Sequence, residues 1–154
     1  MFKIISGGQT GVDRTGLEVA KEFGIPTGGV APLGFRTELG SDPTLGSKFD
    51  LTEDTSSSYT PRTWLNVLNS SATAIFGDLN SPGSRQTVNY CNQLSRPWIA
   101  NPTPAELVDF INSLKIPWIL NIAGNRLSKS PTAAARARIT LTKTFETLGF
   151  TRKV

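Results

Sequence analysis

Short apolar runs alternate with segments of helical periodicity along most of this chain, and this alternation constrains the fold more than any other feature. The predicted strands are residues 2–6, 26–31, 72–76, 97–100 and 117–122. The predicted helices are residues 11–23, 61–69, 84–94, 103–114 and 131–148. Strands that are apolar throughout are typical of a parallel sheet with helices on both faces. The sequence therefore predicts a three-layer α/β domain with a mostly parallel sheet of at least five strands.

The length of the chain fits one domain, which we expect to span residues 1–154. A chain of 154 residues can enclose one sizeable core. Its hydrophobic content of 38% is typical of globular proteins, and no apolar stretch is long enough to cross a bilayer. The first residues lack the pattern of a secretory signal, so we expect a cytoplasmic protein without a membrane partner.

The chain contains no histidine and a single cysteine, Cys91. Catalytic Ser-His and Cys-His pairs are therefore excluded, and so are thiolate zinc clusters. We accordingly predict no catalytic residue and no metal ligand among the side chains. Cys91 is best interpreted as a small buried side chain of a helix, and a thiolate ligand to a bound metal is the alternative.

Residues 32–60 are rich in Gly, Ser, Thr, Asp and Pro and show no periodicity. A loop of this length is unusual within a compact domain and is more often functional than a simple connection. We expect a functional lid, with a disordered insertion as the alternative.

Ligands of parallel α/β sheets bind beyond the carboxyl ends of the strands, where the strand order reverses. The loops that follow the predicted strands there are residues 7–10, 32–36, 77–85 and 124–129. The arginines in or near these loops, or at the start of the helix after residue 60, are Arg14, Arg36, Arg62, Arg85 and Arg126. The net charge of +4 suits an anionic small ligand. No basic stripe interleaved with aromatic residues is present, so we do not expect nucleic-acid binding.

The first of these loops reads "GGQTG" at residues 7–11 and differs from both the dinucleotide fingerprint and the P-loop. Its glycines let the backbone approach a ligand closely, and the following helix start offers free amides. An anion cradle is one interpretation and a tight structural turn is the other. Thr10 and Asp13 also have the spacing of a capping box.

Two later loops repeat this chemistry. Ser84 is a candidate helix cap, and Arg85 is either a phosphate-binding fork or an ordinary surface arginine. Residues 123–131 add a glycine, two cations and another helix start. Several helix starts at one sheet edge would form a larger anion pocket than any one of them.

Four segments together resemble the molybdenum cofactor carrier protein family: "ISGGQTGVD" (5–13), "YTPRTWLNVLNSSATAIF" (59–76), "GSRQTVNYC" (83–91) and "LNIAGNRLS" (120–128). The resemblance covers nearly the whole chain and implies a Rossmann-like fold, shared with the lysine-decarboxylase-like phosphoribohydrolases. It also implies a homotetramer that binds and protects the pterin-based molybdenum cofactor without transforming it. Its further implied partners are molybdoenzymes or proteins of cofactor synthesis.

The implied ligand carries a phosphate, a pterin and a dithiolene-bound oxo-molybdenum centre. The loops and the resemblance together predict these cofactor-binding residues: Gly7, Gly8, Gln9, Thr10, Arg36, Arg62, Thr63, Asn66, Ser84, Arg85, Thr87, Gly124 and Asn125.

The phosphoribohydrolases of the wider group carry a PGGxGTxxE motif with a catalytic glutamate. Residues 82–90 here read "PGSRQTVNY", so Tyr90 stands where that glutamate is expected. We therefore favour a non-catalytic carrier. An enzyme or sensor that acts on a nucleotide or phosphoribosyl compound is the alternative, because glycine-rich cradles are not specific to one ligand.

Overall fold

The computed structural model describes residues 2–153, so Met1 and Val154, the ends of the predicted domain, lie outside the described residues. Its central sheet has five strands, all parallel. In spatial order they are β2 (Thr27–Gly28), β1 (Lys3–Ile5), β9 (Ile119–Gly124), β7 (Ala72–Phe76) and β8 (Trp98–Ala100). Ile4 pairs with Leu120, and Ala74 pairs with Ile122.

Helices cover both faces of this sheet. On one face lie α1 (Val12–Glu22), α5 (Pro104–Asn112) and α6 (Pro131–Thr147), and on the other lie α3 (Tyr59–Leu68) and α4 (Pro82–Gln93). The larger apolar cluster fills the space between the sheet and the helices α1, α5 and α6. Its fully buried side chains include Ile4, Leu107, Leu120, Leu141 and Phe145. The predicted three-layer, Rossmann-like α/β fold is confirmed.

Residues 32–60 form short elements rather than an aperiodic loop. The strand β3 (Val30–Ala31) pairs with β6 (Thr52–Glu53). Between these two strands in the sequence lie a hairpin, formed by β4 (Arg36–Thr37) and β5 (Gly40–Ser41), and then the helix α2 (Thr44–Phe49). Leu45, Phe49 and Leu51 form a second apolar cluster with Leu17 of α1. The alternative of a disordered insertion is therefore wrong. Two-residue strands are too short to produce a periodic pattern, which is why the sequence did not reveal them.

The predicted strand 26–31 is also divided, because the chain turns at Gly29. Gly29 has a φ of +124°, and a Cβ there would lie 2.1 Å from the carbonyl oxygen of Ser6. The residues before Gly29 join the central sheet, and the residues after it pair with β6 instead. Within residues 2–153, none of the helices combines the length and apolarity that crossing a bilayer would require.

The strand order brings the carboxyl ends of β1, β9 and β7 together. The chain runs outward from β1 to β2 and from β7 to β8, and β9 later inserts between β1 and β7. The helices that follow these three central strands, α1, α6 and α4, therefore begin beside one another, at the position where such sheets bind ligands.

Candidate functional site

A cleft of about 250 Å³ opens at the carboxyl ends of β1, β9 and β7. It brings together these residues from the predicted set: Gln9, Arg62, Thr63, Ser84, Thr87, Gly124 and Asn125. It is also lined by residues that the prediction omitted, chiefly Asp13, Tyr59, Ser81, Gln86, Arg126 and Lys129.

The other predicted residues do not line the cleft: Gly7, Gly8, Thr10, Arg36, Asn66 and Arg85. Asn66 is buried, and its side chain accepts from the Val30 amide at 2.8 Å and donates to the Val30 carbonyl at 3.0 Å. That contact fixes β3 to α3. Gly8, with a φ of +77°, turns the chain where a Cβ would meet the methyl groups of Leu45 at 2.8 Å. Arg85 is exposed and does not line the cleft.

An ion pair between Asp13 and Arg62 forms the floor of the cleft. Arg62 Nη1 donates to Asp13 Oδ2 at 3.1 Å, and the two side chains are 6% and 14% exposed, Asp13 being the more buried. The backbone N–H of Gln9 donates to the same carboxylate oxygen at 3.4 Å. Burial raises the pKa of Asp13 above its ordinary value, and the opposing attraction of Arg62 and the hydrogen bonds from Arg62, Gln9 and Gly7 do not cancel that effect.

The predicted capping box at the start of α1 is wrong. The N-cap is Gly11, and no side chain in the described part of the chain caps the helix. The Thr10 hydroxyl donates instead to Glu38 of the β4–β5 hairpin, and the Asp13 carboxylate faces Arg62. Both partners are remote in sequence, so the local spacing could not indicate them.

The start of α4 presents polar groups to the cleft without a side-chain cap. Its N-cap is Ser81 rather than the predicted Ser84. The Ser81 hydroxyl donates to the Asp78 carbonyl at 2.9 Å and accepts from Asn125 at 3.0 Å, so it does not cap the helix amides. The hydroxyl of Ser84 is buried and has no hydrogen-bond partner among residues 2–153. Such a hydroxyl at an uncapped helix start can donate a hydrogen bond to a bound anion.

Asn125 joins the loops after β7 and β9. Its Oδ1 accepts from the Asp78 amide at 2.7 Å, and its Nδ2 donates to Ser81. A Cβ at Gly77 would lie 2.0 Å from that Oδ1, and one at Gly124 would lie 2.2 Å from the Phe76 carbonyl oxygen. Asn125 therefore sets the position of the α4 start, which is a supporting role within the cleft.

The positive charge that faces the cleft comes from Arg126 and Lys129. Arg126 is 44% exposed, and its Nε lies 3.9 Å from Glu38 Oε2, while Lys129 is exposed and forms no salt bridge within the described part of the chain. Arg62 is neutralised by Asp13, and Arg36 lies outside, with its Cζ 5.0 Å from the ring centre of Tyr59. The position of Arg126 in a strand-end loop was the signal that could have identified it.

Residues 4–145 match the circularly permutated YpsA SLOG family. The chain belongs to this family. Among solved structures it is similar to a crystal structure from Syntrophus aciditrophicus named "Putative molybdenum carrier protein", with 36% sequence identity, coverage of 93% of each chain and a TM-score of 0.79. No protein with a curated function matches the sequence. These matches support the resemblance to molybdenum cofactor carriers.

In this member of the circularly permutated YpsA SLOG family, the two remaining candidate residues on α4 are the half-buried Tyr90 and the buried Cys91. Tyr90 contacts Trp64 of α3 edge-to-face, with 5.1 Å between the ring centres, and does not line the cleft. Cys91 is fully buried, and burial raises the pKa of its thiol. The contacts of both side chains are therefore those of packing residues.

Proposed function

We propose that this protein binds the molybdenum cofactor in the cleft as cargo and carries it without converting it. The observation that carries the proposal is the hydroxyl of Ser84 at the uncapped start of α4, which is buried and lacks a hydrogen-bond partner among the described residues. An anion in the cleft would complete the hydrogen bonding of that hydroxyl and of the nearby helix amides. The name of the similar structure from Syntrophus aciditrophicus supports molybdenum as part of the cargo.

The residues of the cleft suit the chemical parts of this cofactor. Ser84, Arg126 and Lys129 would hold its phosphate, since they combine a hydroxyl with two cations that face the opening. The Tyr59 ring lines the cleft beside the guanidinium groups of Arg36 and Arg62, which lie 5.0 and 5.5 Å from its centre, and it could contact the pterin there.

A carrier role is supported by the state of the acidic groups in the cleft. Asp13 is the carboxylate on its floor, and it is buried and paired with Arg62. Tyr90, at the position of the expected glutamate, packs against Trp64. Tyr90 lacks the carboxylate of the expected glutamate, and the Asp13 carboxylate is already engaged by Arg62 and by the backbone N–H of Gln9.

Co-purification tests the proposal. Protein from cofactor-synthesising cells, purified without oxygen, is expected to carry molybdenum by mass spectrometry and a pterin that fluoresces after oxidation. The double variant Arg126→Ala/Lys129→Ala should carry at least about tenfold less, because each charged hydrogen bond is worth about 1.5–3 kcal/mol. The matched control is Arg136→Ala/Lys143→Ala, which removes the same charge from α6, away from the cleft.

A molybdenum-free protein that instead holds or cleaves a nucleotide would contradict the proposal and favour the enzyme or sensor. We also propose that the carrier is a cytoplasmic homotetramer that passes its cargo to molybdoenzymes or receives it from proteins of cofactor synthesis. Light scattering measures the number of subunits directly, and a monomer would contradict the tetramer alone.

A further inference from the structure

A carboxylate of the protein itself occupies a set of anion-binding donors beside the cleft. Glu38 lies at the turn of the β4–β5 hairpin, and its side chain is 13% exposed. Its Oε1 accepts from the Thr10 hydroxyl and from the Ser128 amide, the latter at 3.1 Å. Its Oε2 accepts from the Ser128 hydroxyl and lies 3.9 Å from Arg126 Nε.

These donors belong to the strand-end loops, whereas the carboxylate belongs to the hairpin. Thr10 follows β1, and Arg126 and Ser128 follow β9. The hairpin has only two residues in each strand, and Leu39 at its turn is 80% exposed. Besides the Glu38 side chain, the backbone N–H of Glu38 connects the hairpin to the loop after β1, because it donates to Gln9 Oε1 at 2.8 Å. The donors thus belong to the loops that follow two central strands, and the carboxylate that they bind belongs to a short hairpin outside the central sheet.

The occupied position lies between two cavities. Gln9 and Arg126 line the cleft, while their neighbours Thr10 and Leu127 line a second cavity of about 450 Å³ under the hairpin. Of the donors around Glu38, Arg126 therefore borders the cleft and Thr10 borders the second cavity.

The set of donors suits a phosphate better than a single carboxylate. Two hydroxyls, one backbone amide and one guanidinium can all donate to tetrahedral oxygens, and a phosphate carries more charge than Glu38. We propose that Thr10, Arg126 and Ser128 form a second phosphate-binding subsite, which Glu38 fills in the free protein and which a phosphate group of a ligand takes over. This inference goes beyond the proposed function: the two sites share Arg126, but Thr10 and Ser128 do not line the cleft, so the subsite does not depend on what the cleft carries.

Phosphate titration of matched variants tests the subsite. Glu38→Gln keeps the shape of the side chain but removes the competing charge, so inorganic phosphate should bind about tenfold more tightly than to the wild type in calorimetry. Glu53→Gln is the control, since Glu53 lies in β6, accepts from the Gly34 amide at 2.7 Å and carries the same charge. Adding Ser128→Ala to Glu38→Gln should abolish the gain. Equal affinities of the Glu38→Gln and Glu53→Gln variants, or a gain that survives Ser128→Ala, would overturn the proposal.

A measurement on the wild type avoids any effect of the substitutions on folding. Saturating phosphate should displace Glu38 and loosen the hairpin, so the Glu38 amide should exchange with deuterium faster than in phosphate-free buffer. An unchanged or slower exchange of that amide would count against displacement. Molybdenum content reports on the cleft, and phosphate affinity with hairpin exchange reports on the subsite, so the two proposals can fail separately.

Discussion

At the scale of single residues, a side chain at position 7 and the Arg62 guanidinium cannot occupy the same space. A Cβ on Gly7 would lie 1.7 Å from Arg62 Nη1, the atom that donates to Asp13. Gly7 is therefore needed for the ion pair on the cleft floor, rather than for an unusual backbone angle. The requirement comes from α3, far along the chain, and the repeated glycines of "GGQTG" indicate only that something approaches closely.

We expect Gly7→Ala to destabilise the protein by about 1–3 kcal/mol, because the new methyl group must push Arg62 away from a buried partner. Urea unfolding measures this loss. Gly83→Ala is the matched control: it lies in the first turn of α4, where a Cβ would meet nothing within 4 Å. Equal stabilities of the two alanine variants would show that Arg62 moves without cost.

Removal of Arg62 should make stability depend more strongly on pH. Arg62→Ala leaves Asp13 buried without its cation, and we expect a loss of about 3–5 kcal/mol near pH 7. The pKa of Asp13, already raised by burial, should rise further once Arg62 no longer opposes that effect. A carboxyl group with a raised folded-state pKa stabilises the fold below its unfolded-state pKa, and this contribution is lost as the pH rises through the folded-state pKa. The deficit of the variant should therefore shrink as the pH falls from 7 toward the ordinary value of a carboxyl group.

Urea unfolding at several pH values measures this trend. Arg36→Ala is the control, because Arg36 is exposed and contacts the Tyr59 ring and the Ser57 carbonyl instead of Asp13. Addition of Asp13→Asn to Arg62→Ala should remove the extra pH dependence. A deficit that stays constant with pH in the single variant would mean that Asp13 does not bind the proton.

At the scale of elements, the sequence predicted those whose periodic pattern is long. The strand β7 has the predicted bounds, and α6 begins after Ser130 with Pro131 as expected and ends just before Gly149, which has a φ of +94°. Gly24, with a φ of +67°, follows the end of α1 as predicted. These signals are local, so the surrounding fold does not change them.

Other elements depend on contacts that no local pattern encodes. The end of the predicted strand 26–31 turns away at Gly29 and pairs with β6, and Asn66, remote in sequence, binds both backbone groups of Val30 there. The start of α4 lies at Ser81, whose hydroxyl is engaged by Asn125. The sequence therefore located the strand-end loops that form the cleft, but not which of their side chains face it. Arg126 faces the cleft and Arg85 does not, although both follow apolar strands in glycine-containing loops.

At the scale of the whole molecule, residues 2–153 contain two apolar clusters of very different size. The larger one joins the central sheet to α1, α5 and α6. The smaller one consists of Leu17, Ala31, Leu45, Phe49 and Leu51, with Phe35 packed against it. Small clusters with few buried contacts tend to open locally, well before global unfolding. Since the smaller cluster supports the hairpin that carries Glu38, its opening would also uncover the donors of Thr10 and Ser128.

We therefore predict that Leu45→Ala weakens the 32–60 segment without weakening the central sheet equally. Leu45 is fully buried, and its loss should cost at least about 2 kcal/mol within the cluster. The Asp54 amide, which donates to the Ala31 carbonyl at 2.8 Å, should then exchange at least about tenfold faster in native-state hydrogen exchange, while the Thr73 amide of β7 changes much less. Leu39→Ala is the control, because that side chain is 80% exposed. Equal acceleration at both amides would mean that the two clusters unfold as one unit, and the segment could then not release Glu38 independently of the sheet.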